Sequence, residues 1–297
     1  MIKNKIVKNA SWIIGVKIFQ AILGLIISML TARYLGPSGF GVISYAASVV
    51  AFVVPIMQLG MSNILVKEMV DDPLHEGEIL GTALVLNLIS SISCVIGVTC
   101  FASVANRGEQ ETIIVCALYS ITLVAQASEI LIYWFQAKLL SKYTSIISLV
   151  AYFIVSLYKV FLLATNKSVF WFAISQSIDF TIIAIALFVT YKKLGGTKLS
   201  FSGKRAKLLF SQSRHYIISS MMVTVFAQTD RIMLKLMIDD AATGYYSAAA
   251  LCCALAAPPT DKDRNICKIV VYTLCIVLFA YRLTMNLTSF IPYSTFF

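Results

Sequence analysis

Seven charged side chains lie within or close to long apolar runs of this sequence, where they are the residues best placed to do chemistry. They are Lys17, Glu129, Lys159, Asp179, Asp230, Arg231 and Lys235. A charge at the centre of a bilayer costs about 2.5–3.5 kcal/mol on insertion scales, so it faces protein or water and marks a functional pathway. Four of the seven lie near the ends of their runs, where long side chains can reach the interface. Glu129 and Asp179 lie deeper.

Polar residues also recur every three or four positions in most of the apolar runs, which places them on one face of each helix. Gln126, Glu129 and Tyr133 form such a stripe. Small and hydroxyl residues in stripes are typical of helix packing, because they let backbones approach and form hydrogen bonds. The charged members favour a different interpretation, in which the stripes line a hydrated cavity inside a helix bundle.

The charges of this cavity predict its ligands. Its basic residues would bind an anionic head group, such as a pyrophosphate, through charge-assisted hydrogen bonds. The acidic residues are expected to exchange protons or sodium ions, and the sequence leaves open which. The predicted substrate-binding residues are Lys17, Arg33, Lys159, Arg231 and Lys235, and the ion-coupling candidates are Glu129, Asp179 and Asp230.

None of these residues belongs to a catalytic motif. The sequence contains no paired carboxylates, nucleophile elbow or metalloprotease pattern, and its cysteines and histidines lack the spacing of zinc or redox sites. GPSGFG at residues 36–41 lacks the Gly-Lys-Ser/Thr ending of a phosphate-binding loop. We therefore predict no catalytic residue, no metal site and no cofactor, and we do not expect an enzyme.

The elements that must position these residues are membrane helices. The 297 residues are 59% hydrophobic and 13% charged, with a mean hydropathy of +0.85, whereas soluble domains have about 45–50% apolar and 25% charged residues. The apolar runs predict an all-α integral membrane protein, a polytopic bundle of about 8–9 transmembrane helices. We expect a complete six-helix bundle over residues 1–191, a basic linker over 192–214 and a partial second bundle over 215–297.

The distribution of Lys and Arg predicts the orientation, because cytoplasmic segments of membrane proteins are enriched in these residues. Most of them fall at the N-terminus, in the linker and in alternate loops, whereas the remaining loops hold only Arg33, Arg107 and Lys167. The N-terminus is therefore predicted to be cytoplasmic, and the net charge of +10 reflects contact with the anionic leaflet. No basic face interleaved with aromatic residues occurs, so we expect no nucleic-acid partner.

The segment TARYLGPSGFGVISYAAS, residues 31–48, interrupts the apolar pattern between the first two spans. Gly36, Pro37, Gly39 and Gly41 predict a tight reversal with unusual backbone angles, and Pro55 predicts a hinge in the helix that follows. GVISYAA at residue 41 has an echo in GYYSAAA at residue 244. This repeat predicts two six-helix halves, an arrangement common in transporters that open alternately to each side.

Three tracts of the sequence carry a resemblance to a known family. They are RYLGPSGFGVISYAASVVAFVVPIMQLGMSNILVKE at residues 33–68, YWFQAKLLSKY at 133–143 and TDRIMLKLMIDDAATGYYSAAA at 229–250. In order they resemble the bacterial polysaccharide flippases, the O-antigen repeat-unit transporters of the multidrug/oligosaccharidyl-lipid/polysaccharide exporter superfamily. Arg33, Asp230 and Arg231 occupy positions of the family motifs, whereas the other charged candidates come from the stripes.

The resemblance implies a transporter that moves undecaprenyl-pyrophosphate-linked oligosaccharide repeat units across the bacterial inner membrane for O-antigen or capsule assembly. It also implies two six-helix bundles around a cavity and ion-coupled alternating access. The implied partners are the lipid-linked oligosaccharide, membrane lipids and other polysaccharide assembly proteins. After residue 250 the sequence LCCALAAPPTDKDRNICK departs from the family pattern, so we expect a shifted or premature C-terminus and a truncated second half.

Other functions stay open from the sequence. A drug or cation exporter of the same superfamily would have a more acidic cavity, and a lipid II flippase would handle a similar pyrophosphate lipid. A membrane oligosaccharide polymerase, which belongs to a different class, would be expected to have a large periplasmic loop, whereas the predicted outer loops are short. The sequence does not specify the sugar structure, the coupling ion or the oligomeric state.

Overall fold

The computed structural model describes the backbone of residues 2–256 and the side chains of residues 15–253, apart from residues 63 and 252. This part of the chain consists of helices and turns without strands, which confirms the predicted all-α fold class. The apolar run at 266–281 and the atypical segment after residue 256 lie outside the described residues. The helices are α1 (Ile2–Met57), α2 (Ser62–Asp71), α3 (Glu76–Ala105), α4 (Gln110–Ser120), α5 (Thr122–Gln126), α6 (Leu131–Ala137), α7 (Ser141–Ala164), α8 (Val169–Lys193), α9 (Gly203–Met237) and α10 (Asp240–Ala256).

The chain divides into two compact units, residues 1–244 and 245–297, and the described part of the second unit is the helical stretch 245–256 of α10. By length and composition, five helical stretches of the described chain can cross a membrane: Gly15–Met57, Pro73–Ala105, Gln110–Ala137, Ser141–Ala164 and Val169–Lys193. The first has 43 residues, roughly 65 Å of helix, which is twice the apolar thickness of a bilayer. Neither α9, which carries charges along its length, nor the 17-residue α10 is among the five.

Helix α1 is a hairpin of two helical segments that meet at Gly36. Gly36 has φ 70° and ψ 176° inside an otherwise helical stretch, a conformation that glycine adopts without steric cost. Residues 37–57 run antiparallel to α3. Near one end of this pair Asn106 Nδ2 donates to the Tyr45 hydroxyl at 3.0 Å, and near the other Ser90 Oγ donates to the Ile56 carbonyl at 3.2 Å.

The first segment of α1, residues 2–35, runs parallel to α7. Gln20 Nε2 donates to the Ser148 carbonyl at 3.0 Å, and the Tyr34 hydroxyl donates to the Lys167 carbonyl just past α7 at 3.2 Å. Helices α3 and α7 start at the same end, because the first residue of α3 pairs with Lys138, three residues before α7, at 2.7 Å. The two segments of α1 therefore run in opposite directions, and the first bundle contains six crossings.

The predicted reversal thus occurs at one residue. Unusual backbone angles are found at Gly36, while Pro37, Gly39 and Gly41 have helical angles, and Pro55 lies inside α1 close to its end at Met57. A proline fits at position 37 because the first residue of a helical segment has no intrahelical partner for its amide.

Helices α6, α7 and α8 end with the same backbone motif. Leu139, Asn166 and Gly195 adopt left-handed angles, with φ of 56°, 52° and 75°. The amide after each of them bonds to the carbonyl five residues back, at 2.7, 3.3 and 3.0 Å. These bonds satisfy carbonyl groups that a helix terminus leaves free. Each crossing therefore stops sharply, and the chain can return across the bundle.

Two apolar cores lie at opposite ends of the bundle. We call one the Gly36 end (residues 34–45, 102–112, 165–172 and 235–244) and the other the linker end (58–80, 134–141 and 191–209). At the Gly36 end the core includes Val42, Tyr45 and Ala102. At the linker end Trp134 packs edge-to-face on Phe135 and Tyr191, with ring centroids 5.0 and 4.9 Å apart. Such aromatic pairs add stability beyond the apolar area that they bury.

The linker between α8 and α9 is fixed to protein along part of its length. The Ser200 amide donates to the Gly77 carbonyl at 3.3 Å, and the Ser202 amide donates to Thr82 Oγ1 at 3.0 Å. A Cβ atom on Gly77 would meet the linker backbone at 2.5 Å, so glycine permits this approach. The linker therefore packs on the start of α3 and does not lie wholly on lipid.

Arg205, at the start of α9, adds an ion pair to this contact. Its guanidinium lies 2.5 Å from Asp72 and 3.8 Å from Glu68. Asp72 also bonds to the His75 ring, and the His75 and Arg205 contacts hold the pKa of Asp72 below its ordinary value. Ion pairs thus connect α2, the turn after it and α9 at the linker end.

Gly41 and Gly244 lie in a reciprocal helix contact at the Gly36 end. A Cβ atom on Gly41 would overlap the Asp240 carbonyl, and one on Gly244 would overlap the Pro37 carbonyl. Asp240 and Gly244 lie 203 positions after Pro37 and Gly41, the same offset that relates GVISYAA to GYYSAAA. Contacts in which each residue meets the counterpart of the other are those of a two-fold axis. The residue pairs in this helix contact therefore have the same spacing as the short sequence repeat.

Candidate functional site

Four of the predicted site residues interact electrostatically in the first bundle, Lys17 from an exposed position and the other three from buried or half-buried ones, and we call them the inner charge cluster. They are Lys17 on α1, Glu129 between α5 and α6, Lys159 on α7 and Asp179 on α8. Asp179 interacts electrostatically with Lys159, and Glu129 interacts with Lys17 and Asp179. Asp179 is only 8% exposed, and its Oδ1 has no hydrogen-bond partner among the described residues. The cluster combines two ammonium groups, which can bind an anion, with two carboxylates, which can bind a cation or a proton.

Glu129 lies where the fourth crossing departs from α-helical geometry. This crossing is divided into α4, α5, a 3₁₀ turn at Ala127–Ile130 and α6. Upstream, the hydroxyls of Ser120 and Thr122 donate to carbonyls three residues back, at 2.7 and 2.6 Å. Such bonds compete with the backbone ladder and bend helices, and a 3₁₀ stretch inside a helix is often found at a functional hinge.

A small cavity, which we call the polar cavity, lies beside Glu129 and has a volume of about 10 Å³. This volume holds roughly one water molecule. Asn87 on α3 is 2% exposed, and its Oδ1 has no hydrogen-bond partner among the described residues. The cavity is lined by Gln58, Met61, Ser62, Asn87, Gln126, Glu129, Ile130 and Tyr133. Its lining therefore combines amide, hydroxyl and carboxylate groups. They come from the end of α1, from α2 and α3, and from the fourth crossing, which contains α5 and Glu129.

A second space, the apolar cavity, has a volume of about 390 Å³ and lies between α1, α3 and α9. It is lined by Val49, Phe52, Val53, Gly97, Val98, Phe101, Thr229 and Ile232. The sequence predicted a hydrated central cavity, and this stays a prediction. In the described part of the chain the polar space is small, and the larger space is lined by hydrocarbon.

Lys235 lies at the Gly36 end and is held between two carboxylates. Its Nζ is 2.6 Å from Glu109 Oε2 and 2.6 Å from Asp240 Oδ1, and its side chain is 3% exposed. The hydrogen bond from Lys235 holds the pKa of Glu109 below its ordinary value. Because both carboxylates already neutralise this ammonium group, Lys235 acts here as an ion-pair partner between α9, α10 and the loop before α4.

The remaining predicted residues also lie outside the inner charge cluster. Arg231 Nη1 donates to Gln228 Oε1 at 3.3 Å, and its Nε has no hydrogen-bond partner among the described residues. Asp230 is half-buried on α9, and Arg33 is exposed near the turn of the α1 hairpin. Their roles in substrate binding and ion coupling stay predictions.

The sequence patterns did not identify two residues of interest, Asn87 and Glu109. Asn87 belongs to no stripe, but it is an isolated amide in the apolar run LVLNLI, and a search for lone polar residues would have found it. Glu109 lies in a loop 126 positions from Lys235, and no sequence signal connects the two. Only the fold of the chain brings them together.

Comparison with known proteins identifies the family of this chain. A family model described as polysaccharide biosynthesis protein matches residues 6–255. The chain belongs to the polysaccharide biosynthesis protein family. The resemblance seen in residues 33–68, 133–143 and 229–250 is therefore confirmed. No curated protein and no solved structure matches the chain.

Polysaccharide biosynthesis proteins of this family are generally transporters rather than enzymes. Membership supports a polysaccharide-related transport role in a multi-pass membrane protein, with a lipid-linked saccharide and membrane lipids as the molecules it meets.

Proposed function

We propose that this polysaccharide biosynthesis protein is a flippase that moves undecaprenyl-pyrophosphate-linked oligosaccharide repeat units across the bacterial inner membrane. The repeat units would serve O-antigen or capsule assembly. The observation that carries the proposal is the inner charge cluster in a member of this family. A pyrophosphate needs cationic donors while it crosses hydrocarbon. Lys159 brings an ammonium group to a half-buried position, and the exposed Lys17 adds a second one that interacts with Glu129. The apolar cavity beside α9 offers hydrocarbon contact to the lipid chain.

Transport proceeds by ion-coupled alternating access in this proposal. Each lysine of the inner charge cluster interacts with a carboxylate, so a proton or sodium ion at Glu129 or Asp179 would free an ammonium group for the pyrophosphate. The offset of 203 positions in the reciprocal contact at Gly41 and Gly244 supports two related halves, which would move about this packed contact as a fixed point.

The linker end faces the cytoplasm in this proposal, which also places the N-terminus there. Support comes from a group of exposed lysines at that end, which matches the enrichment of Lys and Arg in cytoplasmic segments and the attraction of anionic lipids. The group consists of Lys192, Lys193, Lys198, Lys204 and Lys207.

The proposal is tested by removing one ammonium group of the cluster. We expect Lys159→Ala to slow translocation about tenfold or more, because one hydrogen bond to a charged group contributes about 1.5–3 kcal/mol. The full-length protein is reconstituted in proteoliposomes with a fluorescent undecaprenyl-pyrophosphate oligosaccharide, and a membrane-impermeant quencher reports the leaflet of the lipid.

The matched control is Lys167→Ala, which removes an exposed lysine in the turn after α7. We expect this variant to translocate the lipid at the wild-type rate. Thermal melting of both variants separates lost transport from lost folding. Equal rates for the two variants would contradict a role of the inner charge cluster in binding the pyrophosphate.

A further inference from the structure

We propose that the polar cavity is a binding site for a single sodium ion. As the site of the coupling ion it rests on the proposed function, but its occupancy can be measured without transport. The carboxylate of Glu129 supplies one negative charge, the amides of Gln58, Asn87 and Gln126 supply carbonyl oxygens, and the hydroxyl of Ser62 adds a further oxygen. Oxygen atoms of this kind are the ligands that hard cations prefer.

The charge of the cavity selects a monovalent ion. Glu129 is the one carboxylate in its lining, so a single positive charge balances it. Zinc and calcium sites draw on several charged, imidazole or thiolate ligands. The described residues contain no group of three or more His, Cys, Asp or Glu that would hold such a metal. The volume of about 10 Å³ also limits the occupant to roughly one small particle.

Asn87 provides the independent observation that points to a ligand. Its side chain is 2% exposed, lines the cavity, and carries an Oδ1 atom without a hydrogen-bond partner among the described residues. Buried polar atoms in folded proteins are nearly always satisfied by protein, water or an ion. A sodium ion beside Glu129 would give this oxygen a partner and neutralise the carboxylate at the same time.

The backbone around the cavity is irregular on two sides, as expected of an ion site in a membrane bundle. Gln58 lies where α1 ends, before Leu59 and Gly60 with φ of 51° and 62°. Glu129 lies in the 3₁₀ turn Ala127–Ile130. Interrupted helices at membrane depth free backbone carbonyls, and transporters use such interruptions to coordinate sodium ions or protons.

The site is linked to the proposed substrate through Lys17. Glu129 interacts electrostatically with Lys17, so a sodium ion on the carboxylate weakens that attraction and leaves the ammonium group free for an anion. Coupling of this kind is reciprocal, because each ligand changes the affinity of the other by the same factor. Sodium binding and pyrophosphate binding are therefore expected to strengthen each other.

The test is binding of radioactive sodium to the full-length protein in nanodiscs, with choline chloride keeping the ionic strength constant. We expect saturable binding of one ion per chain. Glu129→Gln removes the charge and Asn87→Leu removes the unpartnered oxygen, so each should weaken sodium binding about tenfold or more. Glu109→Gln removes a carboxylate at the Gly36 end and should bind sodium as the wild type does.

Thermal melting identifies any variant that fails to fold, and Asn87→Leu keeps the test valid if Glu129→Gln does not fold. The proposal is overturned if sodium does not bind saturably, which would mean that the cavity holds water only. Unchanged binding in folded Asn87→Leu and Glu129→Gln proteins would overturn it as well. Sodium binding without lipid translocation would contradict the flippase function but support the sodium site. Lipid translocation without sodium binding would support the flippase function but contradict the sodium site.

Discussion

At the Gly36 end Lys235 has two carboxylate partners, whereas in the polar cavity Asn87 Oδ1 has no hydrogen-bond partner among the described residues. The backbones also differ, since regular helices meet at Gly41 in the first region and interrupted helices surround the second. Satisfied polar groups and close packing hold a fixed arrangement. Unsatisfied groups at irregular backbone retain the capacity to bind. The Gly36 end therefore holds the fold together, and the polar cavity is the region that we propose binds an ion.

The two regions therefore predict different effects of substitution. Changes at the Gly36 end should lower stability, because they disturb contacts that are already complete. Changes in the polar cavity should lower ion binding more than stability, because the contacts there are incomplete. Melting temperatures of variants at the Gly36 end test the expected loss of stability, and the sodium-binding experiment tests the expected loss of ion binding.

The largest effect on stability is expected from Gly41→Ala. The added methyl group would overlap the Asp240 carbonyl of α10, so the helices must move apart. Overpacking of this kind costs about 1–3 kcal/mol. The measurement is the melting temperature of the full-length protein in nanodiscs, which should fall for this variant.

Gly97→Ala is the matched control, because Gly97 is also helical and a Cβ atom there meets nothing within 4 Å. Alanine stabilises a helix interior by roughly 0.5–1 kcal/mol relative to glycine, so this melting temperature should hold or rise. The packing role of the Gly36 end is refuted if both variants melt at the same temperature.

A smaller effect is expected from Lys235→Met. The ammonium group is buried between two carboxylates, of which Glu109 is 51% and Asp240 22% exposed. Water can reach both carboxylates in part when the lysine is lost, so we expect a cost of about 1 kcal/mol. The melting temperature at neutral pH reports this cost.

The pH dependence identifies the ion pair as the cause. The pKa of Glu109 is lowered in the folded protein chiefly by the bond from Lys235, so its stabilisation is present above the unfolded pKa of about 4.3 and is lost as the pH falls through the folded value. The difference in melting temperature between wild type and Lys235→Met should therefore shrink below about pH 4. A constant difference across this range would show that the lysine stabilises by packing alone.

The helical class and the break of the chain at Gly36 could be predicted from the sequence, because the apolar runs and the Gly-Pro pair are local signals. Glu129 and Asp179 were also visible, since a charge inside an apolar run stands out. The pairing of Lys235 with Glu109 was not visible in the sequence, because it depends on how distant segments of the chain meet. The sequence pattern assigned Gly41 to a turn. In the structure Gly41 instead permits a close helix contact, which a sequence pattern does not show.

The central claim is tested most directly by translocation of the lipid-linked substrate by the wild-type protein. Proteoliposomes containing the full-length chain are given an undecaprenyl-pyrophosphate oligosaccharide or a matched lipid in which a neutral linkage replaces the pyrophosphate. We expect the pyrophosphate lipid to cross the bilayer faster than in protein-free liposomes, with its oligosaccharide unchanged, and the neutral lipid not to do so. Equal crossing of both lipids, crossing no faster than without protein, or conversion to a longer oligosaccharide would contradict it.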